Sequence, residues 1–275
     1  MQSKEKITRA NAMDIIRRFA KEYRKTLGKA PGEIIIVGGG SIMLNYKFRD
    51  ATQDFDVILR AASGIKDVIT RFADDNNLPR DWMNSDFVKT ASYSDVLMEV
   101  SRHYCWLNNH TLEIRTVSGV YLIAMKMIAH RDYRNDISDA IGILIEEAEA
   151  GNRFSYADIE VAYHKLYHEA PDLKTQGQFR NICAKSIEEL KSLYGSQRST
   201  ESSVGDQLIT YMVMRIPSIS SCLFSRFFTT AMVFSSICRP LIDKYDDCTG
   251  TRTRSAATRA LIVITPRLGM QSIRM

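Results

Sequence analysis

The sequence predicts an α/β fold: a small mixed β-sheet flanked by helices, followed by a helical C-terminal region. Three observations carry that expectation. Short runs rich in β-branched residues alternate with amphipathic stretches over the first half of the chain. Helical periodicity then continues to about residue 194. The 275 residues are 45% hydrophobic and 25% charged, the balance of a globular protein long enough to bury a core without disulfides or a structural metal. Disordered, collagen-like and multi-span membrane classes are thereby excluded.

Thr8 to Leu27 sets Met13, Ile16, Ala20, Tyr23 and Leu27 at three- and four-residue spacing, an amphipathic helix stopped by Gly28 and Pro31-Gly32. Glu33 to Val37 is a short apolar run bounded by glycines, a strand buried on both faces. Gly38-Gly39-Gly40 then turns the backbone, and Ser41 is placed to cap a short helix through Tyr46. A second strand covers 54–59, a helix follows at 65–75, and further strands are expected near 96–100, 104–107 and 112–117, with Asn108-Asn109 as the hairpin turn. Ser118 opens a helix to about His130. Asn135 or Asp136 opens another, whose Ile137, Ile141, Leu144 and Ile145 form one apolar face and whose C-terminal glycine is Gly151. Ser155-x-x-Asp158 signals the start of a helix reaching His168, and 178–194 reads as one more helical run. The domains expected are therefore a core over 1–150 and a helical portion over 151–198.

From 199 to 275 the character changes. Residues 201–275 contain eight Arg to one Lys, 18 Ser plus Thr, and three of the five Cys, without sustained periodicity. This stretch reads as a tail outside the domain, poorly ordered or translated out of frame. Its longest uncharged runs, of 10 and 12 residues, are too short to cross a bilayer. The tail also explains the net charge of +5, because residues 1–200 hold 28 basic and 27 acidic side chains. Bulk charge therefore points to no nucleic-acid partner. An odd number of cysteines, none in a C-x-x-C pair, points to a reducing cytoplasm.

The chemistry is concentrated between residues 38 and 56. Side chains alternate along a strand, so Asp54 and Asp56 face one way and Phe55 the other. Two convergent carboxylates repel each other unless a cation offsets them, and Mg²⁺ takes such oxygen ligands. The glycines upstream would let backbone N–H groups and the Ser41 hydroxyl approach a triphosphate. Against this stands a plainer view of each part, since glycine turns also serve packing and a D-x-D also ends strands in solvent. Lys126 has the plainer alternative of snorkelling from an amphipathic helix, and Asp132, Asp136 and Asp139 read best as partners of a helix N-terminus.

The whole stretch, G-G-G-S-x-x-L-x-x-x-x-R-x-x-T-x-D-x-D, resembles the DNA polymerase β-like nucleotidyltransferases, and within them the AbiEii-type branch of toxin–antitoxin and abortive-infection systems. A second block, 121–139, resembles that family's helix with a Lys, then an Arg, then an acidic cluster. The resemblance implies that Gly39, Gly40 and Ser41 contact phosphates, that Asp54 and Asp56 hold two Mg²⁺ ions, that Lys126 meets the triphosphate, and that Arg49 braces the loop or the phosphates. Glu113 is the candidate third catalytic carboxylate, with Glu99 competing. It further implies an NTP substrate, an RNA acceptor such as tRNA or a protein hydroxyl, a cognate antitoxin as partner, and no membrane. The alternative is a catalytically degenerate nucleotide- or RNA-binding module of the same fold.

Overall fold

A computed structural model describes residues 4–129, 131 and 135–214, with side chains to 204. The chain divides into two compact units, residues 1–131 with 135–198, and residues 132–134 with 199–275. Of the second unit only the helical stretch 199–214 is described. The expectation for the tail beyond 214 lies outside the described residues, as does Asp132.

The first unit is built on a five-stranded sheet. In chain order its strands are β2 (Gly32–Ile36), β4 (Phe55–Arg60), β5 (Met83–Asn84), β6 (Ser101–Leu107) and β7 (Leu112–Val117), and they lie in the order β5-β4-β2-β7-β6. β2 is antiparallel to β4 and parallel to β7, β5 is parallel to β4, and β6 closes the other edge antiparallel to β7. The mixed sheet is thus as expected. A two-residue pair, β1 (Ile7–Thr8) with β3 (Ala51–Thr52), stands apart and had no signal in the sequence.

Two hydrophobic layers cover the faces of the sheet. Ile34 and Ile36 of β2 point into a layer built with α1 (Arg9–Leu27) and α3 (Ile65–Asp75), where Phe19, Phe55, Phe72 and Trp82 pack ring against ring. Ile35 and Val37 point into the other layer, formed with α5 (Gly119–Ala129), α6 (Asp136–Glu149), α7 (Tyr156–Leu166), α8 (Leu173–Cys183) and the first two turns of α9 (Ile187–Met214), through Leu190, Leu193 and Tyr194. Alternation therefore gives β2 its two buried faces.

Three local expectations are corrected. Residues 96–100 form the short helix α4 (Val96–Val100), where the N–H of Val96 donates to the hydroxyl of Ser94; four apolar residues and one Glu fit either period, and the turn chemistry decided. The run 178–194 is interrupted at 184–186, where the Glu189 carboxylate accepts the N–H of Ser186 and α9 starts afresh. The three glycines are not a turn preceding a helix. They are the first turn of α2 (Gly38–Asn45), with Val37, not Ser41, in the capping position.

Candidate active site

The site region begins where β2 ends. Gly38 has φ +54°, a conformation that strains any residue with a Cβ, and its first-turn neighbours follow directly into α2. The N–H groups of that first turn have no intrahelical acceptors, and no side chain caps them. One strand away, the carbonyl of Asp56 accepts the N–H of Val37, which fixes Asp56 beside this helix start. A Cβ added to Gly38 would sit 3.5 Å from Asp56 Oδ2. Asp54 and Asp56 are both half-buried, while Phe55 between them is fully buried against Trp82. β4 starts at Phe55, one residue later than the expected 54–59, so Asp54 lies just before the strand and Asp56 is its second residue; both adjoin the rim of the sheet, Asp56 next to the positive end of a helix.

Ser41 faces away from that rim. Its hydroxyl is fully buried, accepts the N–H of Val117 at 3.0 Å and donates to the Val117 carbonyl at 3.3 Å. Asn45, one turn later, donates to the same carbonyl at 2.9 Å. The two residues lock α2 to the end of β7 and so aim its N-terminus at the rim. Gly40 also looks inward, since a Cβ there would lie 2.6 Å from the Phe55 ring. Gly39 alone of the expected glycine–serine set adjoins a cation: a Cβ on it would lie 2.6 Å from Arg49 Nη2.

Arg49 leads into a buried chain of charges. Its Nη1 donates to Asp139 Oδ2 at 2.5 Å, and Lys126 Nζ lies 2.9 Å from the same oxygen and 2.8 Å from Asp136 Oδ1. Arg131 donates to Asp136 through its backbone N–H and Nε. Asp136 and Asp139 are fully buried, so Lys126 faces two carboxylates and not an open cleft. Burial alone would push the Asp136 carboxyl upward, but the Arg131 and Lys126 charges and their hydrogen bonds together hold it far below the usual carboxylate range. The two aspartates are in the first turn of α6, as the helix-terminus reading expects, and act there chiefly through ion pairs.

α6 grips the rest of the segment between the glycine turn and the acidic strand. Glu146 accepts the N–H groups of Lys47 and Phe48 at 2.7 Å each, Tyr46 donates its hydroxyl to Glu147 at 2.5 Å, and the Phe48 ring lies where a Cβ on Gly142 would be, 2.7 Å away. Burial, then the Glu147 hydrogen bond, holds the Tyr46 phenol well above its ordinary value. Residues 139, 142, 146 and 147 form one stripe of the helix.

Glu113 is elsewhere. In the sheet it is level with Glu33 and Arg60, four residues along the strand from the Asp56 row, about 13 Å at ~3.3 Å per residue. There it pairs with Arg115 and His103, and Arg115 also bridges to Glu33. Register, invisible in the sequence, separates it from Asp54 and Asp56. Its competitor Glu99 is in α4, not on a strand. The sequence reading also missed Asn84 of β5, whose amide donates to Asp54 Oδ2 at 3.0 Å; a lone Asn after Trp-Met carries no signal of its own.

A divalent cation fits the rim. Mg²⁺ is commonly held by one or two carboxylates, with waters and substrate phosphates completing its shell, and two carboxylates near a helix N-terminus that can face those phosphates fit that pattern. Among the described residues no group of three or more His, Cys, Asp or Glu is arranged to hold a metal without that help. Among them, too, no helix is long and apolar enough to cross a membrane.

No curated protein and no solved structure matches the chain. Residues 14–148, the stretch that carries the glycine turn, the acidic strand and the buried ion pairs, match the model of a family described as "Nucleotidyltransferase of unknown function (DUF6036)", which supports placing them in the nucleotidyltransferase superfamily.

Proposed function

We propose that this chain is a Mg²⁺-dependent nucleotidyltransferase that moves a nucleotidyl group from an NTP to a macromolecular hydroxyl, with RNA such as tRNA as the acceptor and the toxin of a toxin–antitoxin pair as its setting. The observation that carries the reading is the closeness of Asp56 to the Gly38 helix start, with Asp54 two residues before it at the entry to β4. Asp54 and Asp56 hold the divalent ions. The first-turn N–H groups of α2 donate to phosphate oxygens, and Arg49 beside Gly39 supplies positive charge there. The bound metal would neutralise phosphate charge and stabilise the attacking and leaving oxygens. In the reaction the acceptor oxygen bonds to the α-phosphorus, the bond to the β-phosphate oxygen breaks, pyrophosphate leaves, and the hydroxyl proton passes to solvent. Positioning and electrostatics are then most of what the protein contributes.

Incubation with each α-labelled NTP, Mg²⁺ and either total RNA or lysate protein tests this. Label is expected on RNA, and its loss with Asp54→Ala or Asp56→Ala in a folded protein; label on protein instead would move the acceptor to a protein hydroxyl. Full transfer by either variant would remove the assignment. The row of sheet residues level with Asp56 holds Val37 and Val117 rather than a third acid, which favours a second reading, a nucleotide- or RNA-binding module without catalysis. Tight Mg²⁺–NTP binding with no label on any acceptor selects that module.

A further inference from the structure

We propose that Asn84 is a positioning residue for Asp54, fixing through its amide the direction of the carboxylate with which the chain holds a divalent cation; this rests on the function proposed above. β5 is only two residues long, Met83–Asn84, yet it is firmly placed. Trp82 just before it is fully buried, donates its indole N–H to the Ile69 carbonyl at 3.3 Å, and packs edge-on against Phe19 and Phe55. Its own carbonyl accepts the N–H of Phe55 at 2.7 Å, which ties the start of β5 to the residue between the two aspartates. Register then sets Asn84 opposite Asp56 and Met83 opposite Phe55.

The amide itself can face only one way. The N–H of Asp86 donates to Asn84 Oδ1 at 3.1 Å, so that oxygen is turned to the loop and Nδ2 must point back to Asp54, 3.0 Å from Oδ2. Nδ2 is also within 3.4 Å of the Asp81 carbonyl, a second acceptor that holds the same orientation. Outer groups that hydrogen-bond a ligating carboxylate fix its rotamer, and removing one typically weakens metal binding by about 10- to 100-fold. The aromatic layer under the sheet is thereby linked, through a two-residue strand and one amide, to the direction of a carboxylate at the rim.

The test is Mn²⁺ binding to the full chain, read from the loss of the free-ion electron paramagnetic resonance signal, for wild type, Asp54→Asn, Asn84→Ala, Asn84→Ser and the double variant Asp54→Asn/Asn84→Ala, with thermal melts to verify folding. The expected result is a fall of roughly tenfold or more in affinity for Asn84→Ala, partial recovery with the hydroxyl donor of Asn84→Ser, and no additional loss when Asn84→Ala is placed on Asp54→Asn. A purely structural role for Asn84 would add its loss in the double variant and would overturn the proposal. Wild-type binding that is absent or insensitive to Asp54→Asn overturns the metal site on which the proposal rests. Asp54-dependent binding that Asn84→Ala leaves within twofold overturns the role of Asn84 alone.

Discussion

Two pairs of aspartates in this molecule have the same spacing logic and opposite surroundings. Asp54 and Asp56 are two apart at the start of a strand, Asp54 just before it, and are half-buried, Asp56 beside a helix start without a side-chain cap. Asp136 and Asp139 are three apart on a helix and are fully buried among Lys126, Arg131 and Arg49. A carboxylate sealed among fixed cations has no room for a substrate, and its work is mechanical: it holds the frame. A half-buried carboxylate retains exposure to solvent that a sealed one lacks. The contrast teaches that in this chain acidic type and spacing alone do not separate a framework pair from the pair proposed to hold metal; degree of burial does.

The sharpest way to break that contrast is to delete one acid of each pair. Asp136→Ala removes the buried carboxylate that Lys126 and Arg131 share, leaving Lys126 with Asp139, and should cost about 3–5 kcal/mol, read as a lower midpoint in urea or heat. Asp54→Ala should change stability by less than about 1 kcal/mol while abolishing nucleotidyl transfer. Equal stability losses in the two variants would erase the distinction. The same buried pair should shape the acid limb of stability. The folded Asp136 carboxyl is held below its unfolded value of ~3.9, so its contribution is complete above that pH and is lost as pH falls through and below it. Acid titration of unfolding should therefore be less steep in Asp136→Asn than in wild type below about pH 4.

The architecture was legible because periodicity and punctuation are local. α3 spans the expected 65–75, α6 opens after Asn135 as its cap, Gly151 at φ +86° ends it, and Asn108-Asn109 turn the hairpin in the left-handed region. The strand carrying Asp56 could likewise be read, although it begins at Phe55 and leaves Asp54 just outside it, so that alternation along the strand does not reach both aspartates. What could not be read was anything set by register or by packing between distant elements. Glu113 looked eligible because its strand was right, but pairing with Glu33 instead of with the row of Asp56 took it to the far end of the sheet. Ser41 looked like a ligand-facing hydroxyl because it follows glycines, yet those glycines are helical and one turn rotates it onto Val117. Lys126 and the acids ten and thirteen residues later were recognisable as a block, whereas their mutual neutralisation required the α5–α6 geometry. Asn84 had no signal at all, its role resting on a buried tryptophan beside it.

A finer version of the contrast concerns the glycines, which separate by what their missing Cβ leaves room for. Gly40→Ala drives a methyl to 2.6 Å from Phe55 Cδ1 and 3.0 Å from Ile36 Cγ2, both in the packed layer, and should cost roughly 1–3 kcal/mol as overpacking. Because Phe55 stands between the aspartates, the same change should also weaken Mg²⁺–NTP binding. Gly39→Ala meets Arg49 Nη2 at 2.6 Å and Thr52 Oγ1 at 3.4 Å, so the guanidinium must give way and loosen its ion pair with the buried Asp139. Its stability loss should come from that ion pair and not from overpacking, and nucleotide binding should fall with the displaced guanidinium. Urea melts alongside nucleotide titrations of the two variants test this: Gly40→Ala without a stability loss would contradict the packing argument, and a Gly39→Ala loss that persists in an Asp139→Asn background would contradict the ion-pair argument.

The smallest expected effect tests whether α6 frames the site or merely lies beside it. Glu146 accepts two backbone N–H groups, of Lys47 and Phe48, near the protein surface, so removing the carboxylate forfeits bonds that water can partly replace. Glu146→Ala should therefore lower stability by only about 1 kcal/mol. Those amides, however, belong to the connection between the glycine turn and the acidic strand, and their release should register locally more than globally. Hydrogen exchange is the suitable measurement: the amides of Lys47 and Phe48 should lose protection in Glu146→Ala, while those of β2 and β7 keep theirs. Uniform loss across the sheet would mean that Glu146 supports the whole unit. Loss confined to 47–48 would show that a helix bearing buried aspartates at one end and surface glutamates at the other controls the segment joining the two halves of the rim.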